Sequence, residues 1–311
     1  MFDIVSKLTK ISPRYGRDEM KAARVIVDEL KSLQTQYKEE PFETSVPRVI
    51  KAELFADNVF IPCIGSSLAS GEIKTGQYLI SAFGYTGENP PHRISYSPVT
   101  DEISVVDIYK EPSVTISRNS VVQIVMAKEV KGTVEVKEER FTTENILVGN
   151  INNPQNIIIA HYDSIIGDGA LDNAAAIAVL VEVIKSNPKI LQNTLIVFAG
   201  NEEVSYDDYK TKSGHGFRVF ESAHESVLKN AKQIIVIDGI GVTTPSFTQK
   251  YIDWVIQIKM LDEIRNKVYW LQNDQGEVLK YMHTKADVAG NLQEKYLKEA
   301  QTTLIERLSA S

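Results

Sequence analysis

The chain has 311 residues, 43% hydrophobic and 24% charged, and its 41 acidic against 34 basic residues leave a net charge of −7. That hydrophobic share excludes a disordered or fibrous chain, and ~150 residues per domain predicts one large domain or two smaller ones. An acidic balance without a Lys/Arg stripe argues against nucleic acid and anionic membranes as partners.

The longest apolar run, Ala174 to Val181, falls short of the ~18 residues a membrane span needs. Met1-Phe2-Asp3-Ile4 lacks a basic region followed by an apolar stretch, and the single Cys63 cannot form an internal disulfide. A cytoplasmic location is expected from these features.

The first 35 residues read as helical, with a break at Ser12-Pro13-Arg14-Tyr15-Gly16, after which Met20, Ala23, Ile26, Leu30 and Leu33 recur at helical spacing. From Pro41 to Thr143 short β-rich runs alternate with Gly, Pro, Ser and Asn. Val59–Ile61, Tyr78–Ile80, Ser113–Ile116 and Val121–Val125 are examples. Residues 41–143 are therefore expected to form an inserted β-rich module, with residues 1–40 and 144–311 forming the main domain.

After Glu144 the runs Ile157–Ala160, Leu195–Ala199 and Ile234–Ile237 are unbroken. Apolar runs without alternation mark strands covered on both faces, so the predicted fold is α/β, a mixed central sheet flanked by helices. Helices are expected over Asn173–Lys185, Gly216–Lys229 and Asp287–Leu308, and a further strand at Val278-Leu279.

Each of these strands runs into a potential ligand: His161-Tyr162-Asp163, Gly200-Asn201-Glu202-Glu203 and Asp238. In open α/β sheets ligands bind beyond the carboxyl ends of the strands, so these side chains should meet at one edge. Crowded carboxylates there need protons, basic partners or cations, and no Lys or Arg lies between Asn150 and Ile184. Cations are the better answer.

Asp172, at the start of a helix, is expected to accept first-turn N–H groups with one oxygen and offer the other outward. With His283 the candidates are two imidazoles and three carboxylates, which suits zinc, and also cobalt or manganese. Two metals about 3.5–4 Å apart, bridged by one carboxylate, would use the whole set. Asp172 is the expected bridge, Glu202 is left free as a base for a water held by the metals, and Asp163 would grip the second nitrogen of His161.

Ala160–Ser164, Gly169–Ala175, Asn201–Glu203, Ile237-Asp238 and His283-Thr284 resemble, in order, the motifs of metallopeptidase family 28, the di-zinc aminopeptidases and glutamate carboxypeptidase-like enzymes. The resemblance implies His161, Asp172, Glu203, Asp238 and His283 as metal ligands, Glu202 as general base and Asp163 as the orienting acid. Glu203, and not Glu202, then binds metal. It also implies two zinc ions per chain and a peptide substrate, whose carbonyl is attacked by the activated water. Leu54–Gly71 and Pro112–Ser117 are similar to the protease-associated insert of some members.

A lone histidine at a strand end is more often a satisfied core residue, but Asp163 and Asp172 beside His161 favour the metal role. His215 between two glycines is expected at a rim or in solvent, His92 and His224 on the surface, and Cys63 as structural. Gly167-Asp168-Gly169 has no third glycine, and Ser164 lies in no nucleophile elbow, so dinucleotide binding and serine hydrolysis are disfavoured.

The sequence reading is a zinc-dependent metallo-exopeptidase, an aminopeptidase first. Alternatives are a carboxypeptidase, a small-amide hydrolase, a one-zinc glutaminyl cyclase or a receptor-like relative without activity. Homo-oligomers are compatible with it.

Overall fold

A computed structural model describes residues 1–84 and 90–309. The strands are β1 Tyr37–Ala56, β2 Val59–Phe60, β3 Cys63–Gly65, β4 Gly71–Lys74, β5 Tyr78–Ala82, β6 His92–Tyr96 and β7 Ser113–Ile116. They continue with β8 Val130–Gly149, β9 Asn156–His161, β10 Thr194–Ala199, β11 Gln233–Ile237, β12 Ser246–Thr248 and β13 Val268–Gln272. The helices are α1 Phe2–Thr9, α2 Glu19–Ser32, α3 Val121–Met126, α4 Ala175–Ser186, α5 His215–Asn230, α6 Ile252–Val255, α7 Leu261–Ile264, α8 Gln275–Val278 and α9 Glu294–Ser309.

The central sheet is mixed and runs in the order β12-β13-β11-β9-β10-β8-β1-β2, with β4 also paired to β8. β10, β9, β11 and β13 are parallel, and every residue of β9, β10 and β11 is buried. Side chains alternate between faces of a strand. Ile158 and Ala160 accordingly join one core with α1, α2, α4 and α9, while Ile157 and Ile159 join another with Phe217 and Phe220 of α5. Two covered faces explain the unbroken apolar runs. Register aligns Ala199 with His161, so β9 and β10 end level.

β1 and β8 pair antiparallel along almost their whole length and pass through both residue 41 and residue 143. The β-rich segment is thus joined to the central sheet by continuous strands. It holds a second, four-stranded sheet, β3-β7-β6-β5, with its own core around Leu54, Ile73, Ile94 and Val114.

Three local expectations are corrected. Val121–Val125 is helical: Ser117 accepts the Asn119 N–H and starts a tight turn that feeds α3, with Val122, Val125 and Met126 exposed. Capping here overrides β propensity. Val278 closes α8 and is no strand, its N–H bonding to Asp274 O; two apolar residues carry no period. The last helix begins at Glu294, because Val288 is extended and Ala289–Asn291 form a separate turn. Among the described residues no helix is long and apolar enough to cross a membrane.

Candidate metal centre

β9 ends at His161, which is buried. Its Nε2 lies 3.1 Å from Asp172 Oδ1 and 3.9 Å from Asp238 Oδ1. The other imidazole, His283, sets its Nε2 3.1 Å from Asp172 Oδ2 and 2.7 Å from Glu203 Oε2. The five side chains therefore form two triplets that share Asp172, each of its oxygens facing a different histidine. One donor atom from each of His161, Asp172 and Glu203 lies within 4.8 Å of the others.

Asp172 belongs to a π-helical segment, Ala170–Ala174, in which Asp172 and Asn173 leave helical geometry. Gly169 before it has φ 56°, and a Cβ there would lie 2.5 Å from that of Ser164, so glycine is required at the turn. The expected cap by Asp172 is not observed. Asp287 takes that duty, accepting the N–H of Leu171 at 2.6 Å and of Asp172 at 3.1 Å.

Asp163 accepts the main-chain N–H groups of Glu202 (3.1 Å) and Glu203 (2.9 Å), and its Oδ1 stands 3.3 Å from His161 Nδ1. One carboxylate thus fixes both the first histidine and the Glu202-Glu203 turn. Glu202 is buried beside this cluster, and its carbonyl accepts from Gly214.

The charge balance calls for cations. Burial pushes the Glu202 carboxyl well above its usual range, with Glu203, Asp163 and Asp238 adding repulsion. Burial likewise raises Glu203 to about 7 even though His283 opposes it. Burial disfavours a charged His161, yet Asp163, Asp172 and Asp238 overcome this and hold its imidazole well above the ordinary range. Asp172 Oδ1, Glu203 Oε1 and Asp238 Oδ1 are buried without a hydrogen-bond partner. Buried polar atoms are normally satisfied, so orphaned oxygens converging on imidazoles fit bound metal ions.

Arg14, fully buried nearby, does not neutralise the acids by contact. Its guanidinium donates to the carbonyls of Tyr162 (2.6 Å), Asp168 (2.5 Å) and Gly169 (2.8 Å), which pins the loop before Asp172.

Sequence reasoning named the seven clustered residues but missed Asp287 and Arg14. The remaining histidines differ from expectation. His224 Nε2 contacts Glu40 Oε2 at 2.8 Å, and His92 is half-buried in β6. His215 is mostly buried, its Nδ1 3.2 Å from Asp207 Oδ2. Cys63 is half-buried in β3, where burial pushes its thiol up to about 11.

Residues 146–251 match the model of Peptidase family M28, a span that includes His161, Asp172, Glu202, Glu203 and Asp238. No curated protein sequence matches the chain. Among solved structures, a zinc aminopeptidase from Bacillus subtilis superposes with a TM-score of 0.68 at 15% identity, covering 97% of this chain and 92% of that one. A Peptidase M28 precursor from Shewanella amazonensis SB2B gives a TM-score of 0.68 at 14% identity, covering 99% and 91%. A glutaminyl cyclase from an Acidobacteriales bacterium gives 0.55 at 14% identity, covering 99% and 92%. At these identities the likeness to the solved structures is one of fold. The family model spans the strand ends that carry most of the cluster, so residues 146–251 of this chain are similar to metallopeptidase family 28.

Proposed function

We propose that the protein is a two-metal exopeptidase, an aminopeptidase that removes N-terminal residues from peptides, acting in the cytoplasm. The observation that carries this reading is the division of Asp172: Oδ1 faces His161 and Oδ2 faces His283, each at 3.1 Å. A carboxylate shared in this way suits a bridge, with Asp238 completing one triplet and Glu203 the other.

Zinc ions bound there supply Lewis acidity toward a peptide carbonyl and lower the pKa of water. The remaining work falls to the chain itself. Glu202, kept out of both triplets by its own position in the turn, takes a proton from the attacking water and returns it to the leaving amine. Asp163 holds the Glu202 main chain and the His161 ring in register. The lone Cys63 supports the cytoplasmic assignment.

The test is metal analysis of the purified chain together with a panel of aminoacyl-arylamides and N-blocked peptides. Two ions per chain and cleavage confined to free-amine substrates are expected. Cleavage of N-blocked peptides at equal rates overturns the aminopeptidase direction. One ion per chain, with cyclisation of N-terminal glutamine, overturns the reading in favour of a glutaminyl cyclase.

A further inference from the structure

The β-rich segment between residues 41 and 143 reaches the cluster at His283. Ser104 and Val105, both buried, form a three-bond clamp on Met282-His283. Ser104 Oγ donates to Met282 O at 3.0 Å, and the Val105 N–H donates to His283 O at 3.0 Å. The Val105 carbonyl lies 2.8 Å from His283 Nδ1. That last contact fixes which ring nitrogen carries hydrogen, leaving Nε2 aimed at Asp172 and Glu203. His283 needs such a hold, since its backbone sits at φ 55° in a turn outside any helix or strand.

The same segment also fastens the residues after Glu203. Tyr206 Oη donates to Leu68 O at 2.8 Å, and the Tyr206 N–H donates to Ser45 O at 3.1 Å. Val204, directly after Glu203, packs with Val46 and Phe141, and Leu68 and Ile108 cover it. The side chains of the other triplet are held from outside the segment, by residues 1–40 and 144–311. Asp163 stands on His161, the Asp238 N–H donates to Leu271 O, and Trp270 Nε1 donates to Asp238 O.

From this asymmetry we infer that the β-rich segment is a positioning element for one half of the metal centre, setting His283 through Val105 and the Glu203 turn through Leu68. Ser104, Val105 and Tyr206 are its positioning residues. The inference rests on the two-metal reading above. It makes the two halves unequal: loosening the segment frees the Asp172–Glu203–His283 triplet and leaves the His161–Asp172–Asp238 triplet intact.

The experiment titrates cobalt into the metal-free full chain and follows the visible absorption bands, which report coordination geometry step by step. Val105→Pro removes the N–H given to His283 O. The double variant Ser104→Ala with Tyr206→Phe removes two hydroxyls without touching the backbone, and keeps the test open should Val105→Pro fail to fold by circular dichroism. Glu203→Gln and Asp238→Asn mark which titration step belongs to which triplet.

The expected result is a ten- to hundredfold weakening, about the loss typical for outer partners of metal ligands, confined to the step that Glu203→Gln removes. Equal weakening of both steps, no weakening, or weakening of the step that Asp238→Asn removes overturns the inference while the two-metal reading stands. A wild-type chain that takes up fewer than two cobalt ions overturns that reading itself, and the inference with it.

Discussion

Asp287 accepts the main-chain N–H of Asp172 at 3.1 Å, so one buried carboxylate holds the backbone of another whose own oxygens face two histidines. The contact spans 115 residues and joins the turn before α9 to the segment before α4. Asp287 also takes the Leu171 N–H, which leaves neither donor unpaired in the interior.

Replacing Asp287 by Asn keeps the shape but turns one acceptor into an NH₂ group facing an N–H. The Asp172 carboxylate should then lose its fixed orientation. We expect Asp287→Asn to weaken metal retention about ten- to hundredfold with the fold preserved, as for other groups that orient ligands. Chelator competition alongside circular dichroism measures this. Wild-type retention would mean that the 287–172 contact is structural only.

Glu202 lies between Asn201, which bonds its own loop through Val204 O, and Glu203, which faces His283. Its carboxylate belongs to neither triplet, so Glu202→Gln should retain the metal content of the wild type. Loss of the proton carrier is expected to lower kcat by about 10²–10⁴-fold while KM changes little. Rates on an aminoacyl-arylamide, paired with metal analysis, decide it. A variant as fast as wild type removes Glu202 from the role of base.

The parts of the molecule that were legible in sequence are those whose cause is local. β9, β10 and β11 announce themselves because both faces are covered, and the ligands follow because each strand stops at the same edge. Val278 and Val121–Val125 misled because short apolar runs look alike in strands and helices until capping and i→i+4 bonds are known. Asp287 and Arg14 were not legible. Their partners lie 115 to 155 residues away in the chain, so nothing in the neighbouring sequence records the contact. Arg14 did sit in a marked place, beside Pro13 in the break after α1, but the break signalled a turn and not its buried duty.

That duty has a measurable cost. Arg14→Met removes the donors of the buried Tyr162 and Gly169 carbonyls and of the half-buried Asp168 carbonyl. Each buried acceptor left unpaired costs about 1–3 kcal/mol, so the variant should lose at least ~2 kcal/mol of unfolding free energy. Urea titration of the metal-free chain measures the loss without contributions from bound ions. A change below about 1 kcal/mol would show that the loop finds other donors, contrary to the bond network described above.

The loop after Glu203 carries a charge cluster that predicts a pH effect on stability. Burial alone would raise the Asp207 carboxyl. His215 Nδ1 3.2 Å away, the hydrogen bond from Ser205 and the Arg218 guanidinium 2.8 Å away outweigh it and hold the group down at about 2 against an ordinary 3.8. A carboxyl depressed on folding contributes stability that is fully present above its unfolded value and is lost as pH falls through its folded value. The window for Asp207 therefore runs from just above pH 4 down to about 2. Asp207→Asn cannot titrate there, so comparison with it cancels the many other groups that do. Wild type should unfold at a higher temperature than Asp207→Asn at pH 5, and the gap should narrow steadily as pH drops to 2. A gap that stays constant over this interval would mean that the carboxylate is not held by His215 and Arg218 in solution.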